Sequence, residues 1–191
     1  MRLMELIGRP EQLGFNIKAF HGTNKDFHTF EMGSKLGSGS REGPLGIWFT
    51  DNPEAASGFA DFAARGQGAS VMPVRLRLKH PWVIKSYNEI RDLVDRFTTF
   101  RKPDYVVGGR QIRMNGDTTD YPAARQFLQA NGYDGIVLPD TLTDSPDGKT
   151  PITQYVVFNP SQIRSEFANY DQDKLDSGNI SERYSCELPR P

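Results

Sequence analysis

Apolar positions along the chain switch between a period of two and a period of three to four, and each switch marks an element. Residues 15–21 alternate and read as a first strand ending at His21. Residues 71–78, Val-Met-Pro-Val-Arg-Leu-Arg-Leu, alternate in their second half, as a strand with one wet face does. His80-Pro81-Trp82-Val83-Ile84 continues as a turn and an extended segment. Residues 133–138 form a short apolar run expected to be a buried strand, and residues 153–158 form another. Helical spacing appears three times. Asp51-Asn52-Pro53-Glu54 carries an Asx cap, a first-turn proline and an early acid. Ala55, Phe59, Phe62 and Ala63 then supply an apolar face, ended by Gly66 and Gly68. Residues 87–97 place Ile90, Leu93, Val94 and Phe97 inward. Residues 121–131 enter a helix through Pro122 and leave it at Gly132.

The segments between are polar. Residues 33–43 hold four glycines and three serines and read as a flexible loop. Residues 101–118 are irregular, with a turn at Gly108-Gly109, and residues 139–151 form a polar loop. Beyond about residue 168 periodicity is lost, so this tail is expected to be loosely held or to clasp a partner. The expected organisation is an N-terminal segment (1–14), one domain (15–167) and a polar tail (168–191). Short strands that do not alternate regularly with helices argue for an α+β domain. No Gly-x-Gly-x-x-Gly joins a strand to a helix, which argues against a Rossmann dinucleotide site.

Composition adds limits. Net charge is −1, so no global field draws the protein to nucleic acid or to an acidic membrane. The single cysteine, Cys186, has no internal partner for a disulfide, and a reducing, cytoplasmic setting fits. No run of about 18 apolar residues is present to span a membrane. The opening Met1–Ile7 is too short and too charged for a signal h-region. Three dispersed histidines and one tail cysteine give no metal-ligand spacing.

The candidate chemistry sits on three strand edges: Lys18-Ala19-Phe20-His21-Gly22-Thr23, Gly46-Ile47-Trp48-Phe49-Thr50-Asp51 and Gln154-Tyr155-Val156-Val157-Phe158. Each offers a polar or aromatic side chain, and the first two place it beside a glycine. Together they suit a cleft that holds a flat, amide-bearing ring. In this order the three edges resemble the signature of the ADP-ribosyltransferase fold. The nearer branch is the diphtheria-toxin and poly(ADP-ribose) polymerase group, marked by His, Tyr and Glu on three strands. Residues 71–84, Gly132-Tyr133-Asp134-Gly135-Ile136 and Phe158–Ser165 are similar to a phage and mobile-element subgroup. The resemblance covers roughly residues 17–165.

The resemblance implies a split β-sandwich of two small, mostly antiparallel sheets with flanking helices and an NAD cleft. It also implies roles. The Gly22 backbone holds the nicotinamide carboxamide, His21 bonds the adenosine ribose, and Thr23 and Ala56 lie beside the bound NAD+. Trp48 replaces the family tyrosine, Phe59 is the second aromatic against the ring, and Gln154 replaces the catalytic glutamate. Residues 33–43 cover the NAD+. The implied activity is mono-ADP-ribosyl transfer from NAD+, without metal, to a protein, RNA or DNA acceptor. A toxin, effector or antiviral defence protein is the implied setting, with a neutralising antitoxin-type partner. Gln154 keeps hydrogen bonding and loses the charge that steadies an oxocarbenium-like transition state. Glu31, Glu42, Asp51 and Glu166 are candidate substitutes.

Other readings stay open. The same cleft with water as acceptor is a NAD+ glycohydrolase, and one that lost its chemistry at Gln154 is a non-catalytic NAD-binding module. His21 with His28 is a ribonuclease-like pair. Taken alone, Trp48 and Phe59 are more often core aromatics than a ring clamp, and Arg75, Arg77 and Lys79 are either a solvated face or a track for phosphates.

Overall fold

A computed structural model describes residues 7–8, 10–24, 27–32, 43–64, 69–100, 106–107, 110–111, 118–168, 170–171 and 174–180. Its main sheet is built from β1 (Ile17–Thr23), β2 (Ile47–Thr50), β3 (Ser70–Leu76), β4 (Pro81–Val83), β5 (Gly135–Thr141), β6 (Ile152–Val157) and β7 (Ile163–Ser165). The order is β7-β3-β1-β2-β6-β5-β4. Neighbours are antiparallel except the parallel pair β5 and β4. The helices among the described residues are α1 (Pro53–Ala64), α2 (Tyr87–Asp95) and α3 (Tyr121–Ala130). Val106–Val107 pairs with Arg110–Gln111 around the Gly108-Gly109 step, which itself lies outside the described residues.

The sheet almost breaks in the middle. β1 pairs with β3 along all seven residues, but it meets β2 at one pair only, Phe20 opposite Thr50. Two halves, β7-β3-β1 and β2-β6-β5-β4, are therefore joined by a single rung. Pairing among these strands runs through one sheet with a near-break at β1 and β2.

Strand alternation sends neighbouring residues to opposite faces. Val156 joins Ile90, Leu93, Ala124 and Leu128 under α2 and α3. Its neighbour Val157 joins Phe30, Phe49, Val74 and Ile180 on the other face. α1 starts on Asn52, whose side-chain oxygen accepts from the amides of Glu54 (2.9 Å) and Ala55 (3.0 Å), as the sequence leads one to expect. Its buried face is made of Ala55, Ala56 and Ala60, while Phe59 is 39% exposed. That corrects the apolar face read from the sequence. α1 lies close enough to β1 that its backbone at Ala56 and Ala60 meets Gly22 directly. Gly66 and Gly68, and the side chains of Phe62 and Ala63, lie outside the described residues.

The tail also departs from expectation. The Ile180 side chain is buried in the Phe30 and Phe49 cluster. Its amide donates to the His28 carbonyl (2.9 Å), and its carbonyl accepts from Ser165 (3.0 Å). Arg164, 1% exposed, donates to the Leu175 carbonyl at 2.7 Å. Burial and hydrogen bonding thus anchor residues 174–180 to the domain, and residues 181–191 lie outside the described ones.

Candidate functional site

The near-break between β1 and β2 gathers most of the residues singled out in the sequence. Phe20 faces Thr50, so the next rung in register is Gly22 opposite Trp48, and it is not paired. The direction of the Gly22 backbone follows from its other neighbour. Pro73, opposite Phe20 on β3, has its carbonyl turned away to the Glu166 amide at 3.2 Å. Phe20 and Pro73 are therefore a non-hydrogen-bonded pair, and so, two residues on, are Gly22 and Val71. The amide and carbonyl of Gly22 must face β2, where no rung receives them. One residue there presents a donor and an acceptor side by side.

His21 works across the same gap. Its Nδ1 lies 2.8 Å from the Trp48 carbonyl oxygen. A carbonyl only accepts, so Nδ1 carries the proton and Nε2 of the neutral ring is an acceptor. The ring packs edge-on against Phe30 at 5.0 Å and is tilted against Phe49 at 5.4 Å. That burial lowers its pKa, and the bond to Trp48 partly opposes the shift. The unfolded chain takes up a proton near pH 6.5, and folded His21 does so only at lower pH. Between those values the unfolded state binds more protons, so stability falls as pH drops through the window. Urea midpoints of wild type and His21→Gln are expected to diverge between about pH 7.5 and 5.5, with wild type losing more on acidification. Parallel losses would show that His21 does not contribute to this pH dependence.

Gly22 is also the contact point of α1. A methyl group placed on it would overlap the Ala56 carbonyl oxygen and sit 2.8 Å from the Ala60 nitrogen. Thr23 is buried beside it. Trp48 stacks on Tyr87 of α2, ring centroids 6.1 Å apart and 17° from parallel. Its indole Nε1 is buried with no hydrogen-bond partner among the described residues, an arrangement rare enough to need a reason. No ring contact joins Trp48 to Phe59 among the described residues.

Gln154, 3% exposed, is opposite Thr50 on β6. Its Oε1 accepts from the Tyr87 hydroxyl. Its Nε2 donates to the Thr143 carbonyl (3.3 Å) and to Asp144 Oδ2 (3.2 Å). Tyr87 and Asp144 carry no signal in the sequence. Tyr87 stands 67 residues from Gln154 along the chain and Asp144 stands 10, and neither has a motif around it. The acids named as substitutes stand elsewhere. Glu166 is bound to Arg75 through two hydrogen bonds (2.5 and 3.0 Å). Asp51 accepts from the Thr153 amide (2.9 Å), Glu31 is exposed, and Glu42 lies outside the described residues.

The ribonuclease-like histidine pair and the phosphate track lose support in the same way. His28 is exposed at a bend, and no hydrogen bond or ring contact joins it to His21 among the described residues. Arg75 is held by Glu11 and Glu166, which leaves it no free phosphate-binding role, and Arg77 lies over the Phe15 ring at 4.7 Å. An open hollow of about 360 Å³ lies elsewhere, lined by Arg77, Tyr133, Asp134 and Gln162 among others. Among the described residues no group of His, Cys, Asp and Glu is placed to hold a metal ion, and no helix is long and apolar enough to cross a membrane.

Residues 11–173 match the family described as ADP-ribosyltransferase in polyvalent proteins. The chain belongs to that family. Its members carry an ADP-ribosyltransferase domain, an enzyme class that uses NAD+ as co-substrate, and the mixed α+β architecture is compatible with that fold. The match takes in all seven strands and all three described helices. Comparison with the curated proteins and with the solved structures returns no match.

Proposed function

We propose that this ADP-ribosyltransferase binds NAD+ at the near-break between β1 and β2 and moves a single ADP-ribose to a macromolecular acceptor, releasing nicotinamide. The observation that carries the reading is the unpaired rung at Gly22. A primary carboxamide needs one donor and one acceptor on the same side, and a strand residue turned to an empty edge offers both. Gly22 N–H donates to the carboxamide oxygen, and Gly22 C=O accepts from its NH₂. His21 Nε2 accepts from a ribose hydroxyl. Thr23 and the Ala56 turn of α1 close the back of the pocket. Trp48, braced by Tyr87, and Phe59 at the rim flank the ring.

In this reading the site is a diphtheria-toxin and poly(ADP-ribose) polymerase type with Trp48 for tyrosine and Gln154 for glutamate. Chain building is disfavoured, because the acid that orients an acceptor sugar is absent at Gln154. The family's association with polyvalent proteins fits an effector of a phage or mobile element acting on one target. The test is NAD+ labelled in its ADP-ribose half, incubated with the protein and cell extract. Label bound to macromolecule and lost on protease or nuclease digestion supports transfer and identifies the acceptor class. Free ADP-ribose alone means glycohydrolase. NAD+ left intact contradicts both.

A further inference from the structure

Beside Gln154 stands a carboxylate that the sequence motif does not include. Oδ2 of Asp144 lies 3.2 Å from the Gln154 amide nitrogen and 3.3 Å from the Tyr87 hydroxyl. A glutamate at 154 would place an oxygen where that amide nitrogen now sits. The negative charge missing from β6 therefore stands one hydrogen bond away. Asp144 Oδ1 accepts no hydrogen bond among the described residues.

The loop that presents Asp144 is built to stay in place. The Asp147 carboxylate accepts from the amides of Lys149 (2.9 Å) and Thr150 (2.8 Å) and from the Thr150 hydroxyl (2.7 Å). The Thr143 carbonyl is pinned by Gln154 itself. Asp144 holds φ at +63°, a left-handed backbone that strains most side chains and that Asp and Asn tolerate best. Asp144 itself is exposed, so its free oxygen is open to a ligand.

We infer that Asp144 is the carboxylate of this transferase site, replacing the family glutamate in function from the loop between β5 and β6. This rests on the proposed NAD+ chemistry. In the step, the bond from C1′ of the ribose to the pyridinium nitrogen breaks, and its electron pair leaves on neutral nicotinamide. Positive charge spreads over C1′ and the ring oxygen. The acceptor atom then bonds to C1′ and gives its proton to solvent. Asp144 Oδ1 accepts a hydroxyl of the same ribose and steadies the developing charge. Gln154 and Tyr87 hold Asp144 in position.

The test compares wild type, Asp144→Asn, and Asp144→Asn combined with Gln154→Glu, by nicotinamide release with NAD+ varied. Asparagine keeps the hydrogen-bond acceptor and suits the positive φ, so the loop should survive; thermal melts check this. Asp144→Asn is expected to lower kcat by about 10²-fold, the scale of one lost electrostatic group, with KM for NAD+ little changed. Returning a carboxylate at 154 should recover most of that loss. Asp144→Asn as active as wild type overturns the inference and leaves the NAD+ reading standing. A slow Asp144→Asn that Gln154→Glu does not rescue also overturns it, because Asp144 then only shapes the loop. Wild type without nicotinamide release brings down both.

Discussion

Gly22→Ala is expected to cost about 3 kcal/mol of stability, the upper end of what overpacking a tight contact costs, and to abolish NAD+ binding. The added methyl meets backbone on the opposite side, the Ala56 carbonyl and the Ala60 nitrogen, not the tip of a flexible side chain. Relief requires α1 to lift from β1. For a domain of this length that loss corresponds to a fall in Tm of roughly 6–12 °C. The internal control is Gly58→Ala, inside the same helix, where no atom lies within 4 Å of the added methyl. Alanine there should gain up to about 1 kcal/mol, because glycine is a poor helix former. Scanning calorimetry on both variants decides. A Gly22→Ala protein that melts with wild type would mean that α1 does not press on β1 at this point.

The functional consequence follows from the same contact. Lifting α1 moves Ala56 and Phe59 together and tilts the edge of β1 on which Gly22 presents its amide and carbonyl. NAD+ binding should then fail even at temperatures where the variant is folded. His21 offers a contrast, since its substitution leaves the Gly22 backbone in place and removes one acceptor. Losses at position 21 should therefore show in turnover and in the pH profile before they show in nicotinamide affinity.

How much of this is legible in the sequence depends on the range of the interaction. The Asn52 cap, the alternation of β3 and the Gly132 exit from α3, with φ at +85°, are local, and the sequence predicts them correctly. The strand limits differ by a few residues. β1 runs on to Thr23, and β5 continues past Pro139 to Thr141 through an irregular register. The face of α1 differs from expectation because the sequence does not state how near β1 approaches. The signal is present all the same: Ala55, Ala56 and Ala60 are small residues at helical spacing, and Gly22 is their counterpart. The near-break in the sheet is not legible, since it depends on which rung of two distant strands goes unmade. Tyr87 is invisible for the same reason, since only folding brings α2 to Gln154. Asp144 is 10 residues from Gln154, but nothing in the polar loop between β5 and β6 singles it out before the turn is formed.

The central claim is that the Gly22 backbone is the receptor for a carboxamide. Nicotinamide is the smallest probe of that idea, because it carries the ring and the amide and nothing else. A bound ring beside Trp48 perturbs nearby amide resonances through its ring current, and a hydrogen bond to Gly22 N–H shifts that resonance directly. Gly22, Thr23 and Trp48 should therefore respond together, with one common affinity, and His28 should not. Titration of nicotinamide into ¹⁵N-labelled protein, followed amide by amide, is the most direct measurement. Gly22 and Trp48 are expected to move furthest and saturate together. Saturating shifts confined to the hollow around Tyr133 and Gln162, or no shifts as nicotinamide approaches its solubility limit, would contradict the claim.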